Sequence, residues 1–159
     1  MRRPKYPLEP LAELRDTIVD QAMNGLAAAA RALALAEQKR RVAEEGRSAH
    51  AARVERIRRT EAEALERGEL CVAHLGHADA WETRVMAEDS ALAADVDRAR
   101  GEESTARAAE RRARDALAAR EADARVVAND RARWDGAMQR AAETRDEEAS
   151  LEAWRPVKS

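Results

Sequence analysis

Three residues able to ligate a metal or act in nucleophilic chemistry stand close together in the stretch "LERGELCVAHLGHADAWE": Cys71, His74 and His77, with Trp81 just beyond. Thiolate and imidazole are good zinc ligands, and Asp79, Glu82 or a water would have to complete the set. The spacing matches no common zinc module, however. A catalytic zinc also needs a concave pocket and a layer of hydrogen bonds behind its ligands. As a thiol–imidazole pair the residues fare worse, because nothing nearby forms an oxyanion hole or orients a base. Elsewhere there is no glycine-rich phosphate loop, paired-carboxylate pocket or nucleophile motif. The expectation is a protein that is not an enzyme and needs no metal or cofactor. The stretch reads instead as a turn, and the elements on either side of it have to explain its purpose.

Those elements are helices. The 159 residues include 39 alanines, 38% are charged, phenylalanine is absent, and there are six glycines and four prolines. Abundant Ala, Arg and Glu with few breakers marks long helices or coiled coil, and periodic apolar residues argue against disorder. So few large side chains can fill a thin two-helix seam but not a thick core. The net charge of −2 gives no reason to expect nucleic acid or an anionic membrane as partner. Its distribution is uneven: +5 over residues 1–60, −8 over 61–103 and +1 over 104–159. A lone cysteine forms no internal disulfide and suits a reducing cytosol. "MRRPKYPLEP" has no apolar stretch behind its basic start, and no run approaches the roughly 18 apolar residues of a membrane span. A soluble, cytoplasmic protein without direct membrane insertion is expected.

After Pro10 no proline occurs until Pro156. One seven-residue row runs Leu8, Arg15, Ala22, Ala29, Ala36, Ala43, His50, Ile57, and a second runs Ala12, Val19, Leu26, Leu33, Arg40, Arg47, Val54. The second half repeats the pattern with Val85, Leu92, Ala99, Ala106, Ala113, Arg120, Val127, Trp134 and with Asp89, Val96, Glu103, Glu110, Leu117, Ala124, Arg131. Sustained heptads indicate a left-handed supercoil. Gly68 and Gly76, with Asp79 as a cap for the next helix, place the break at about 67–79. The fold expected is all-α: one antiparallel coiled-coil hairpin over 1–159, with helix one at about 8–66 and helix two at about 80–155. Each arm of about 60 residues would run roughly 90 Å. Matching small residues against large ones sets Leu33 opposite Ala113, Ala29 opposite Leu117 and Ala12 opposite Trp134. Glu103 then falls between Arg40 and Arg47, and buried charge of opposite sign would fix the register.

The tip carries an apolar cluster, Leu70, Val72, Leu75, Trp81, Val85 and Met86, where a bare hairpin end has little interior. Either these residues fold over one another as a cap or they form a contact patch anchored by tryptophan, with the acidic surround favouring a basic partner. His50 reads as a tolerated polar seam residue, "ERRARD" as a solvated face, and "AAAARALALAE" as a tight packing stripe.

The lead-in "YPLEPLAELRDTIVDQA", the long Ala/Arg/Glu helix, the midpoint break and the closing "NDRARWDGAMQRAAETRDEEASLEAW" together resemble the FliJ/YscO family. These are stalk proteins of flagellar and virulence-type type III secretion, and the likeness covers nearly the whole chain. It implies an antiparallel hairpin similar to the rotor stalk of rotary ATPases. One end would enter the hexameric export ATPase, and the protein would also contact the inner-membrane export gate and, in some members, secretion chaperones. The place implied is cytoplasmic, peripheral to the inner-membrane secretion apparatus. Leu8, Leu11, Leu14 and Arg15 match the family's N-terminal lead-in, and Arg131, Trp134, Arg140, Asp146, Glu147 and Glu148 its C-terminal pattern. These are the residues expected at the ATPase. The region of Trp81 sits at the start of the second helix, where the gate contact is expected, although the family's other aromatics are missing there. The rival readings are a coiled-coil scaffold without an ATPase partner and, from another class, a small zinc protein built on Cys71.

Overall fold

The computed structural model describes residues 4–70 and 72–154, the side chains of residues 72, 73 and 75 excepted. It is all-α: helix α1 spans Glu9–Glu66 and helix α2 spans Val72–Ala153, packed against each other as a hairpin. Pro7 and Pro10 mark the start of α1, since a first-turn proline forfeits no intrahelical bond. The Glu9 amide donates to the Tyr6 carbonyl (3.2 Å) and Ala12 to Leu8 (3.0 Å), closing that turn.

Gly68 ends α1. Its φ of 71° is the left-handed conformation that a Cβ disfavours. The Gly68 amide donates to the Leu65 carbonyl at 3.0 Å and the Glu69 amide to Ala64 at 2.9 Å, the paired bonds of a Schellman stop.

The break is shorter than the composition suggested. α2 begins at Val72 rather than near residue 80, so His74, Gly76, His77 and Asp79 are helical. Gly76 keeps a helical φ, because one glycine among helix-forming alanines weakens a helix by about 1 kcal/mol without ending it. Asp79 therefore caps nothing.

The seam is thin, as the composition requires. Among the described residues no side chain is less than 2% exposed, and the buried set is Tyr6, Ala36, His50, Val54, Val96, Ala99, Glu103, Glu110 and Val127. All except Tyr6 belong to the heptad rows.

Two contact-dense regions can be described, one formed by residues 1–26 with 113–159 and the other by residues 27–112. In the first, Arg15 pairs with Asp123 (3.1 Å) and Arg131 with Glu9 (2.9 Å). In the second, Arg58 pairs with Glu82 (2.8 Å), Arg47 with Asp89 (3.0 Å), Arg100 with Glu44 (2.9 Å) and Lys39 with Glu102 (3.4 Å). The hydrogen-bonded Arg47 guanidinium holds Asp89 below the usual carboxylate range, and Arg100, then Arg40, does the same for Glu44.

These pairs correct the expected register. Arg47 meets Asp89, not Glu103; Glu103 is held by Arg40 and by Arg107 (2.6 Å). Trp134 meets Tyr6 instead of Ala12. The difference is a slide of about one heptad, seven residues, which leaves every row facing the same row. In an alanine-lined seam, volume matching alone discriminates poorly between such registers. The aromatic contact at Tyr6 and the arginine–carboxylate ladder decide between them.

Candidate functional site

No described group of three or more His, Cys, Asp or Glu residues is arranged to hold a metal ion. Cys71 lies outside the described residues, and the helical turn places His74 and His77 on exposed positions. No helix is long and apolar enough to cross a membrane. Two surfaces remain, one at the termini and one at the turn.

At the termini the organising residue is Tyr6, only 6% exposed. Its hydroxyl donates to Asp130 Oδ2 at 2.6 Å, and its ring lies 5.7 Å from the Trp134 ring, tilted by 59°. The Arg131 guanidinium sits 5.9 Å from the centre of the same ring while also bonding Glu9. The Asp130 carboxylate accepting its proton, followed by burial, pushes the Tyr6 phenol up to about 12. This clamp ties the proline-bearing N-terminal arm to α2.

Around the clamp the expected contact residues divide. Arg131 and Trp134 are brought together, with Trp134 half-buried. Arg15 is half-buried and engaged with Asp123, and its buried Nε has no acceptor among the described residues. Leu11 is half-buried, whereas Leu8 is 43% and Leu14 54% exposed. Arg140, Asp146, Glu147 and Glu148 lie further along α2, where no side chain beyond Met138 is even half-buried. The last stretch of α2 therefore projects as a single exposed helix with Leu151 at 70% and Trp154 at 85% exposure. Tyr6 escaped the sequence reading because it stands off the heptad rows; the signal available was the chain's one tyrosine set between Pro4 and Pro7.

At the turn, an open groove of about 700 Å³ runs between the end of α1 and the start of α2, lined by Arg58, Leu65, Leu70, His74, Trp81 and Arg84 among others. Arg58 donates from Nε and Nη2 to the two carboxylate oxygens of Glu82 and lies 5.9 Å from the Trp81 ring centre, beside that indole in the wall of the groove. Leu70, Trp81 and Val85 are half-buried and Met86 is 70% exposed. The side chains of Val72 and Leu75 fall outside the described residues. Val85 and Met86 line a second hollow, of about 770 Å³, with His50 and Asp89. Sequence reasoning missed Arg58 and Leu65, since neither occupies a seam row and only the packing of the two helices brings them to Trp81.

Such a molecule falls in the class of antiparallel coiled-coil hairpins. The sequence model of one family, described as YscO-like protein, matches residues 3–153, and the chain belongs to that family. A solved chain described as a YscO homolog, CT670 from Chlamydia trachomatis, superimposes with a TM-score of 0.78 at 21% identity, over 94% of this chain and 93% of that one. At that identity the likeness speaks for the fold. No curated protein sequence matches this one.

Proposed function

We propose that this chain is the non-catalytic central stalk of a type III secretion export ATPase complex, coupling the hexameric ATPase to the inner-membrane export gate. Membership of the YscO-like family over nearly the whole length is the observation that carries the reading. The architecture is compatible with it: a two-helix hairpin inside a sixfold ring would touch the subunits unequally and bias their nucleotide states, with no catalytic residue of its own. The terminal end, with Leu8, Leu11, Leu14, Arg15, the Arg131 and Trp134 side chains of the Tyr6 clamp and the exposed helix bearing Arg140, Asp146, Glu147 and Glu148, is assigned to the ATPase. The groove and apolar residues at the turn are assigned to the gate. Secretion chaperones are a further partner class, and the working place is the cytoplasmic face of the inner-membrane secretion apparatus.

The test compares two variants of the full chain. Deleting residues 140–159 removes only exposed described positions and leaves the Tyr6 clamp in place; it should abolish stimulation of the export ATPase while gate binding persists. Replacing Trp81, Val85 and Met86 with alanine should do the reverse, and binding at the turn should weaken with salt because that region is acidic. If the turn variant loses stimulation and the deletion does not, the hairpin inserts the other way round. If neither change affects either partner, the protein is a coiled-coil scaffold without an ATPase link.

A further inference from the structure

The groove at the turn holds two charges that the chain itself does not use. Glu61 on α1 and Arg84 on α2 both line it and both are exposed, and neither forms a hydrogen bond or ion pair with any described residue. They do not reach each other either. Arg58, another cation of the rim, is spent on Glu82 through bonds of 3.2 and 2.8 Å. Between these rims the floor is apolar, with Ala62 and Leu65 from α1, Leu70 from the turn, and Ala78 and Trp81 from α2. Leu65 is 60% exposed and Trp81 only half-buried, so open apolar surface lies beside unpaired charge of both signs.

The walls define the shape that fits. α1 contributes Arg58 to Leu65 and α2 His74 to Arg84, about 10 Å and 15 Å of helix, or two to three turns. An extended segment laid there would turn backbone N–H and C=O groups toward aliphatic and indole surface, while the wall helices have spent their own backbone groups internally. A helix arrives with its backbone satisfied and presents apolar side chains at intervals of three and four residues.

The charges define which helix. A base on the flank toward Glu61 and an acid on the flank toward Arg84 form two ion pairs; the same helix laid in the opposite direction meets like charge on both sides. Arg58 and Glu82 pair across the groove and so mark one level. Glu61 stands three residues nearer the turn than Arg58, and Arg84 two residues farther from it than Glu82. The axial offset between the two free charges is about 7 Å, or about five residues of helix. We propose that this groove takes a single amphipathic helix of another protein. Its apolar row covers Leu65, Leu70 and Trp81, one flank carries a base for Glu61, and the other, about five residues away, carries an acid for Arg84. The inference deepens the assignment of the turn to the gate: it rests on that assignment for the natural partner, and not for the chemistry of the groove.

The probe is a synthetic helical peptide with a leucine row, Lys on one flank and Glu about five residues away on the other. It is compared with the same peptide carrying Gln at both places. Titrated into the full chain and followed by NMR at the Trp81 indole N–H, the Lys/Glu peptide should bind roughly threefold to tenfold tighter than the Gln peptide. Glu61→Lys and Arg84→Glu should each remove most of that advantage and leave the affinity of the Gln peptide unchanged, whereas Leu65→Ser should weaken both peptides. Failure of both peptides to bind up to about 1 mM, equal affinity of the two, or indifference of the Lys/Glu peptide to both reversals would overturn the proposal. The cytoplasmic domain of the export gate is titrated in parallel, and each reversal should weaken it by a similar factor. A gate domain that needs Trp81 but ignores both reversals overturns the inference and leaves the stalk reading standing. A gate domain that never binds, while the peptides behave as expected, overturns the stalk reading and leaves the inference standing.

Discussion

Val126 and Val127 are neighbours on α2 with the same side chain and opposite surroundings: Val127 is 8% and Val126 69% exposed. Replacing each with alanine separates the worth of the seam from the helix's own preferences. Two methyl groups are lost, worth about 1.6 kcal/mol at 0.8 per buried carbon, and a residual void adds a few tenths where the seam cannot close. Alanine is the better helix former by about 0.5 kcal/mol at both positions. Val127→Ala should therefore destabilise by roughly 1–1.5 kcal/mol, and Val126→Ala should stabilise by about 0.5. For a chain of this size the melting temperature should fall by roughly 2–6 °C in the first case and rise by about 1–2 °C in the second. Urea titrations followed at 222 nm would measure both. Equal shifts, or a larger loss at Val126, would refute the placement of the seam on the Val127 face of α2.

Two further outcomes are expected. Reversing Arg47 and Asp89 singly should lower the melting temperature, and the double reversal should recover part of the loss, whereas Arg47→Glu with Glu103→Arg should show no such recovery. Tyr6 is the chain's one tyrosine, so absorbance near 295 nm reports it alone: the folded protein should form phenolate around pH 12 and the urea-unfolded chain near 10. Because folding raises this pKa, the clamp's contribution is full below pH 10 and is lost as pH climbs through 12. A Tyr6→Phe variant should lose less melting temperature than the native protein over that range, the remaining loss coming from lysine and arginine pairs common to both; ionisation near pH 10 in the folded native protein would rule out the bond to Asp130.

The heptad rows were legible because an apolar or small residue every seven positions has one physical reading, and Val54, Val96, Ala99 and Val127 are buried where those rows put them. Two long helices packed as a hairpin follow from the same rows and from the proline-free span. The register was not legible, since a slide of one heptad preserves every row; distinguishing the choices takes the contact of Tyr6 with Trp134, which belongs to no row. The turn was overestimated because Gly68 and Gly76 look alike in sequence, yet only Gly68 adopts the left-handed conformation. The surfaces at the ends were legible as lists of residues but not as arrangements. Arg58 reaching Trp81 and Arg131 covering Tyr6 depend on which helix faces meet, and single-helix patterns do not encode that.

The projecting end of α2 behaves unlike a free peptide of the same length. An isolated helix shorter than about 12–15 residues is marginal in water because its first turn is hard to start. From Gln139 to Ala153 that first turn is already supplied by the paired part of α2, so helix need only propagate outward. How far it extends at any instant is a statistical quantity that relaxes in about 0.1–1 µs. A binder gripping Glu148 or Leu151 at this end selects the members of that population in which every intervening residue is helical. Its affinity thus depends on residues that it never touches. Ala142→Gly, at an exposed position near the base of the projection, should loosen such a grip several-fold with every contact residue unchanged.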